Sequence, residues 1–489
     1  MAGKTVSMSA AAVEDRLFET DSVASVGPPV VVKVAVDKTF RVYDQDQSFL
    51  MPPSLRDWLP EGHLAHFVSE LVDEVLDLAP FLASYTEERG YPPYDPRLML
   101  KILLYGYTTG VRSSRGIERR CHEDVAFRLL AANAAPDFRS VARFRKRHLA
   151  ALEALFLQVL TLCREAGMVR MGRVALDGTK IRANASRHKA MSYTRMRESE
   201  ARLAAEVAAM MGEAERIDAQ EDTAHGPDNR GDDLQGEMAR RESRLVKIRK
   251  AKADLEAHAK EQAAGKARDR ATKAGRTPGE AEEAATAAGQ DAKPQPQAQR
   301  NFTDPDARIM KTSDGSFHYC YNGQAVVDEA NQVIVAADFA ACGVDCPEFA
   351  EMLDQAIANT GSTPRETLAD AGYFSADNLA DAAGHGTEAF IATGRLKHGE
   401  EVPAAPRGPI PKNATPKQRM ARKLRTKKGK AAYSRRKVIV EPVFGQMRTV
   451  QGADRLWLRG REAARSEWRL LAACHNLRKL HGFTVTAAT

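Results

Sequence analysis

Residues 190–300 constrain the fold of this chain more than any other stretch. "ESEARLAAEVAAMMGEAERID" and "LQGEMARRESRLVKIRKAKADLEAHAKE" are Ala-rich, charged segments separated by "TAHGPDNRGDD". Leu245, Ile248 and Leu255 form a thin apolar stripe, enough for a helical hairpin but not for a globular core. "GRTPGEAEEAATAAGQDAKPQPQAQR" then has the composition of a disordered linker. The interval reads as a solvated insertion that carries no chemistry. Whatever precedes it must therefore fold with whatever follows it.

What precedes it is mostly helical. Residues 1–47 are weakly patterned, with "VVVKVAVDKTF" as one short strand. From there to about residue 150 the apolar residues recur at helical spacing, as in Leu64, Phe67, Val68, Leu71, Val72 and Val75. Pro96 suits a first helical turn and Gly110 a helix end. "SRGIERRCHEDVAFRLLAAN" reads as a third helix, and "DFRSVARFRKRHLAALEALFLQVLTLCREAG" as a fourth. Residues 48–150 thus form an all-helical domain. Its arginines cluster: Arg112, Arg115, Arg119 and Arg120 around one turn, then Arg143, Arg145 and Arg147 around Phe144. Arg near helix starts beside a tight turn suits helix-turn-helix DNA binding. The alternative is the solvated face of a helical bundle.

At "GRVALDGTKIRANAS" the period changes to two, giving a strand with Asp177 on one face. After the insertion, "FHYCYNGQAVVDEANQVIVAADF" reads as a hairpin. A helix follows in "CPEFAEMLDQAIANTG", with Asp345 as its cap. "RETLAD" is a strand ending at Asp370, "SADNLADAAGHG" a helix and "EAFIATGR" a further strand. Between Val402 and Val440 there is no Asp or Glu, while Lys and Arg recur throughout. A run so one-sided repels itself unless an anion is near. It leads into "VIVEPVFGQMR", where Glu441 is the first acid. Pro442 places Glu441 close to a helix N-terminus.

With the insertion set aside, the order is βββαβαβα, that of an RNase H-like mixed five-stranded sheet flanked by helices, interrupted between its first and second strands. The catalytic domain is then residues 151–489. In that order the strands carrying Asp177 and Asp370 are neighbours, and Glu441 on a helix could close the site. Three converging carboxylates repel unless a divalent cation neutralises them. Hard oxygen ligands favour Mg²⁺ or Mn²⁺ over Zn²⁺.

These motifs together resemble a DDE-type insertion-sequence transposase with an InsH-like N-terminal helical domain. "VALDGTKIRANAS" and "LADAGYFS" match the first two acids. Tyr433, Arg436, Glu441 and Arg448 match the family's third signature. Arg448 stands where the family often has Lys, and the Arg436–Glu441 spacing differs by one residue from some branches. "SLRDWLPEGHLAHFV" and "FRSVARFRKRH" resemble the helical domain. The likeness covers roughly residues 45–190 and 301–480. It implies a metal-dependent enzyme that cleaves element ends and transfers the strands into target DNA. Asp177, Asp370 and Glu441 would hold two Mg²⁺ ions, with Mn²⁺ as a substitute. Tyr433, Arg436, Arg448, Arg143, Arg145 and Arg147 would contact DNA. The expected partners are terminal inverted repeats, target DNA and a second copy of the chain. A nuclease without strand transfer, or a non-catalytic DNA-binding derivative, are the rivals.

Composition agrees with this reading. The formal net charge of +7 and a pI near 9.0 suit a polyanionic partner. Six cysteines in 489 residues make no disulfide framework. The absence of a long apolar run or a signal core predicts a cytoplasmic protein with no membrane segment.

Overall fold

The computed structural model describes residues 54–85, 93–225, 233–312, 314–340, 345–394 and 408–488. The N-terminal strand expected in "VVVKVAVDKTF" lies outside them. Helices α1 (Leu64–Glu70), α2 (Ala79–Leu82), α3 (Pro96–Thr109), α4 (Ser114–Glu123), α5 (Val125–Leu130), α6 (Phe138–Arg147) and α7 (Leu149–Glu165) form the helical part. Asp95 caps α3, Pro96 opens it, and Gly110 closes it at φ 89. The third and fourth expected helices are each broken in two. Asp124 leaves the helical region at φ −112 and its carboxylate caps α5. His148 breaks the second at φ −108.

Strand β1 (Arg173–Arg182) leads through β2 (Ala190–Ser192) into the insertion, which is α8 (Tyr193–His225), α9 (Asp233–Lys273) and α10 (Pro278–Gln290), and returns through β3 (Gln299–Asn301). Half of the stretch expected to be a disordered linker is α10. Thr277 and Glu280 make a reciprocal capping box around Pro278, and Ala281 and Ala285 are buried. Met196, Leu203, Leu245, Ile248, Ala251 and Leu255 form a small core of their own. The antiparallel pair β2–β3 brings the two ends of the insertion together.

The chain continues with β4 (Arg308–Lys311), β5 (Phe317–Asp328), β6 (Ile334–Phe339), α11 (Glu348–Thr360), β7 (Glu366–Ala369), α12 (Ala376–Gly384), β8 (Glu388–Ile391), α13 (Pro416–Arg425), α14 (Lys427–Thr449) and α15 (Arg461–Ala488). β1 is central, antiparallel to β5 and parallel to β7, with β8 parallel beyond β7. β6 pairs with the far side of β5. This is the RNase H-like order. β4, pairing with the start of β5, adds one strand to the five expected. One apolar core runs from Ala65 in α1 to Leu480 in α15, so the helical part and the sheet share it. Among the described residues no helix is long and apolar enough to cross a membrane.

Pro442 does not start a helix. It lies deep inside α14, which begins at Lys427 with Thr426 as its cap. Proline removes the N–H that Val438 O would accept. The side-chain amide of Gln332, in the β5–β6 turn, donates to that carbonyl instead at 3.0 Å. Glu441 is therefore mid-helix, without the N-terminal placement its sequence suggested.

Candidate active site

Asp177 sits at the middle of β1, opposite Ala325 of β5. On the other side Leu176 pairs with Ala369, so the next residue, Asp370, comes alongside Asp177 at the end of β7. Asp177 Oδ1 accepts from the Gly178 N–H at 2.9 Å, and Oδ2 accepts from Arg436 Nη1 at 2.7 Å. Burial pushes the Asp177 carboxyl up to about 6; the Asp370 charge pushes the same way, against the pull of Arg436. Asp370 accepts from the Gly372 N–H at 2.7 Å and so caps the one-turn helix Ala371–Tyr373.

Side chains two apart on a strand share a face, so Thr179 lies on the Asp177 side. Helix α14 crosses that side. Its Arg436 reaches Asp177 and its Arg448 donates to Thr179 Oγ1. Tyr433 is bonded to Arg436, and burial together with the Asp370 and Asp177 charges raises its hydroxyl pKa. Glu441 lies between Arg436 and Arg448 along α14 and is exposed. At 100° per residue it points well away from Arg436 and nearly the same way as Arg448. Among the described residues no three His, Cys, Asp or Glu side chains stand close enough together to hold a metal. The fold thus brings the first two acids together and does not close the third onto them. The pair still fits a hard divalent cation in kind: two adjacent carboxylates, partly buried and mutually repelling, with only oxygen donors.

Arg145 is not available to DNA. Its side chain is buried, donating to Tyr107 Oη at 3.1 Å, to Arg112 O at 2.9 Å and to Ser114 Oγ. Tyr107 and Arg112 both donate to Glu467 Oε1 at 3.2 Å, and Glu467 Oε2 accepts from the N–H groups of Trp457 and Leu458. Arg112, in the loop between α3 and α4, and Arg145, on α6, are therefore structural cations. Arg143 is exposed. Arg147 is exposed too, with its guanidinium 4.5 Å over the Tyr85 ring and donating to Ser84 O. In the basic run, Lys423 and Lys428 pair with Glu388, and Arg435 with Glu329.

Asp345 is a second acid, after Glu441, that the sequence placed wrongly. Pro347, not Asp345, precedes α11, and no side chain caps it. The Asp345 carboxylate instead accepts from Asn322 Nδ2 at 2.7 Å and Gln324 Nε2 at 3.0 Å, both on β5. No local signal could have shown this, because the donors come from a strand more than one element upstream.

A family model described as "Transposase domain (DUF772)" matches residues 53–147, and one described as "Transposase DDE domain" matches residues 289–477. The chain belongs to the insertion-sequence DDE transposases. Transposases bind DNA, and this family generally works with divalent metal ions. Asp370, Glu441, Tyr433, Arg436 and Arg448 fall inside the second match, whereas Asp177 and the insertion up to residue 288 fall between the two. No curated protein and no solved structure matches the transposase.

Proposed function

We propose that this transposase cuts the 3′ strands at the ends of its element and joins them to target DNA. The observation that carries the reading is the placement of Asp177 beside Asp370 on adjacent parallel strands, with a cationic helix lying across them. Asp177, Asp370 and Glu441 are the residues that would hold two Mg²⁺ ions, or Mn²⁺ in their place, once Glu441 is drawn in. Bound there, such ions supply Lewis-acid stabilisation of charge at the reacting phosphate.

The chain's own groups do the rest. Arg448, anchored by Thr179, presents a guanidinium on the Glu441 side of α14, where it can take a phosphate in a forked pair. Arg436 and Tyr433 hold the Asp177 side of the cleft in place. Exposed Arg143 and the unpaired cations of α13 bind the DNA backbone through charge alone. Two ends have to be brought together, so the working form is a dimer on DNA.

A plasmid assay that scores both nicked ends and joined products tests the reading. Asp370→Asn should keep the wild-type melting temperature and DNA affinity while cleavage falls by several orders of magnitude. Asp177→Asn and Glu441→Gln should fall as far, and combinations no further, since the ligands act as a unit. Wild-type cleavage by Asp370→Asn would defeat the proposal. Cleavage without any joined product would favour a nuclease.

A further inference from the structure

Gly178 follows Asp177 directly, and Gly372 comes two residues after Asp370. Neither has the left-handed backbone that favours glycine, so neither is there for its φ. What both lack is room. A Cβ on Gly178 would lie 2.7 Å from Gln324 Nε2, 2.9 Å from Asp345 Oδ1 and 3.1 Å from Asn322 Oδ1. A Cβ on Gly372 would lie 2.9 Å from Asp370 Oδ1 and 3.1 Å from Asp345 Oδ2. The Asp345 carboxylate therefore borders both gaps with one oxygen at each glycine, beside Gln324 at the first and Asp370 at the second.

The mounting of that carboxylate is specific. A carboxylate only accepts, so the amide NH₂ groups of Asn322 and Gln324 must both face it. The Tyr373 hydroxyl donates to Gln324 Oε1, which fixes the amide the same way round. Asn322, Gln324 and Tyr373 are all buried, the last two completely. Two buried amides pointed at one carboxylate fix its position. The Tyr373 hydroxyl lies near enough to Asp345, Asp177 and Asp370 to be raised by all three, after burial.

We propose that Asp345 is a positioning residue of the acidic pair, wedged between Gly178 and Gly372 so that the strand carrying Asp177 and the strand end carrying Asp370 are held for a divalent cation. It acts through those two acids, since it reaches Gly178 on the sheet face opposite the Asp177 side chain. The inference rests on the reading of Asp177 and Asp370 as the cation-binding acids.

The test is Mn²⁺ binding to the full chain without DNA, by calorimetry, alongside thermal melting. Asp345→Asn keeps the shape and an oxygen for the two amides but removes the charge. It should melt close to wild type and bind Mn²⁺ roughly tenfold more weakly, the loss expected when a group that orients a ligand is removed. Folded Asp345→Asn with wild-type Mn²⁺ affinity would overturn the proposal. Should that variant fail to fold, Asn322→Ser, which removes one donor and leaves the charge, takes its place: severalfold weaker Mn²⁺ binding supports the proposal and unchanged binding overturns it. Asp370→Asn separates the two levels. Loss of Mn²⁺ binding there, with none in Asp345→Asn, removes Asp345 alone. Retention in both removes the acid pair itself.

Discussion

The guanidinium of Arg436 is 11% exposed and lies 2.7 Å from an Asp177 carboxylate that is 20% exposed. It supplies, in the metal-free protein, the positive charge that a buried acid requires. Chelator should accordingly leave the melting temperature of the wild type unchanged. Arg436→Ala leaves Asp177 without its counter-charge, at a cost on the order of 1–3 kcal/mol. A cation that binds the folded state stabilises it by mass action. The variant should therefore melt several degrees low in EDTA and recover more on adding Mg²⁺ than the wild type gains. An equal Mg²⁺ response in both proteins would show that Arg436 and the cation do not share a task.

At the scale of elements, the turn between β5 and β6 splints two helices. Gln332 takes a left-handed φ of 57. Its amide N–H caps the carbonyl that Pro442 orphans in α14, its Oε1 accepts from Lys479, and its backbone oxygen accepts from His475, both on α15. His475 Nε2 must carry the proton to donate, and Nδ1 is buried with no partner among the described residues. Protonation at Nδ1 is thus opposed. Burial, with Lys479 and Arg478 adding to it, pulls the His475 pKa down to about 4. In the unfolded chain the same ring takes a proton near pH 6.5. Between those values the unfolded state binds more protons, so His475 destabilises the fold progressively as pH falls from about 6.5 to about 4. His475→Gln can keep the bond to Gln332 but does not titrate. Its melting temperature, compared with wild type, should improve steadily through that window. A difference independent of pH would rule out His475 as the source.

At the scale of the molecule, the insertion has its own small core and enters and leaves through one ribbon. Tyr193 N–H donates to Ala298 O at 2.8 Å, and Thr194 N–H to Pro296 O at 3.2 Å. Replacing residues 200–295 with a Gly/Ser linker should leave a folded sheet, its melting temperature lowered by no more than about 5 °C. Loss of the strand signal in circular dichroism would mean that the insertion supports the sheet. Much of this plan was legible in the sequence. Asp177 and Asp370 showed because an acid on one face of a period-two run and an acid at the end of a short apolar run are local features, and the helical hairpin showed because its stripe is. The capping box at Thr277 was equally local and was outweighed by composition. Other features were not local. Whether an arginine is exposed depends on what packs over it, so Arg145 and Arg143 looked alike. A proline inside a helix looks like a helix start unless Gln332, from another element, is known to take up the free carbonyl. Asp345 looked like a cap because its amide donors lie on β5.

The pair of Arg112 and Glu467 also sets an order in time. Helices α3 and α7 pack against α15, and the buried charges that join them belong to the first and last parts of the described chain. On the ribosome, the helices near the N-terminus emerge long before α15, with the whole catalytic sheet made in between. At about 5–20 residues per second that wait lasts on the order of tens of seconds. Through it, an apolar face and an unpaired arginine stand open to water. Until α15 arrives the helical part lacks its packing partner, so only a chain with α15 in place has a rigid surface to offer DNA.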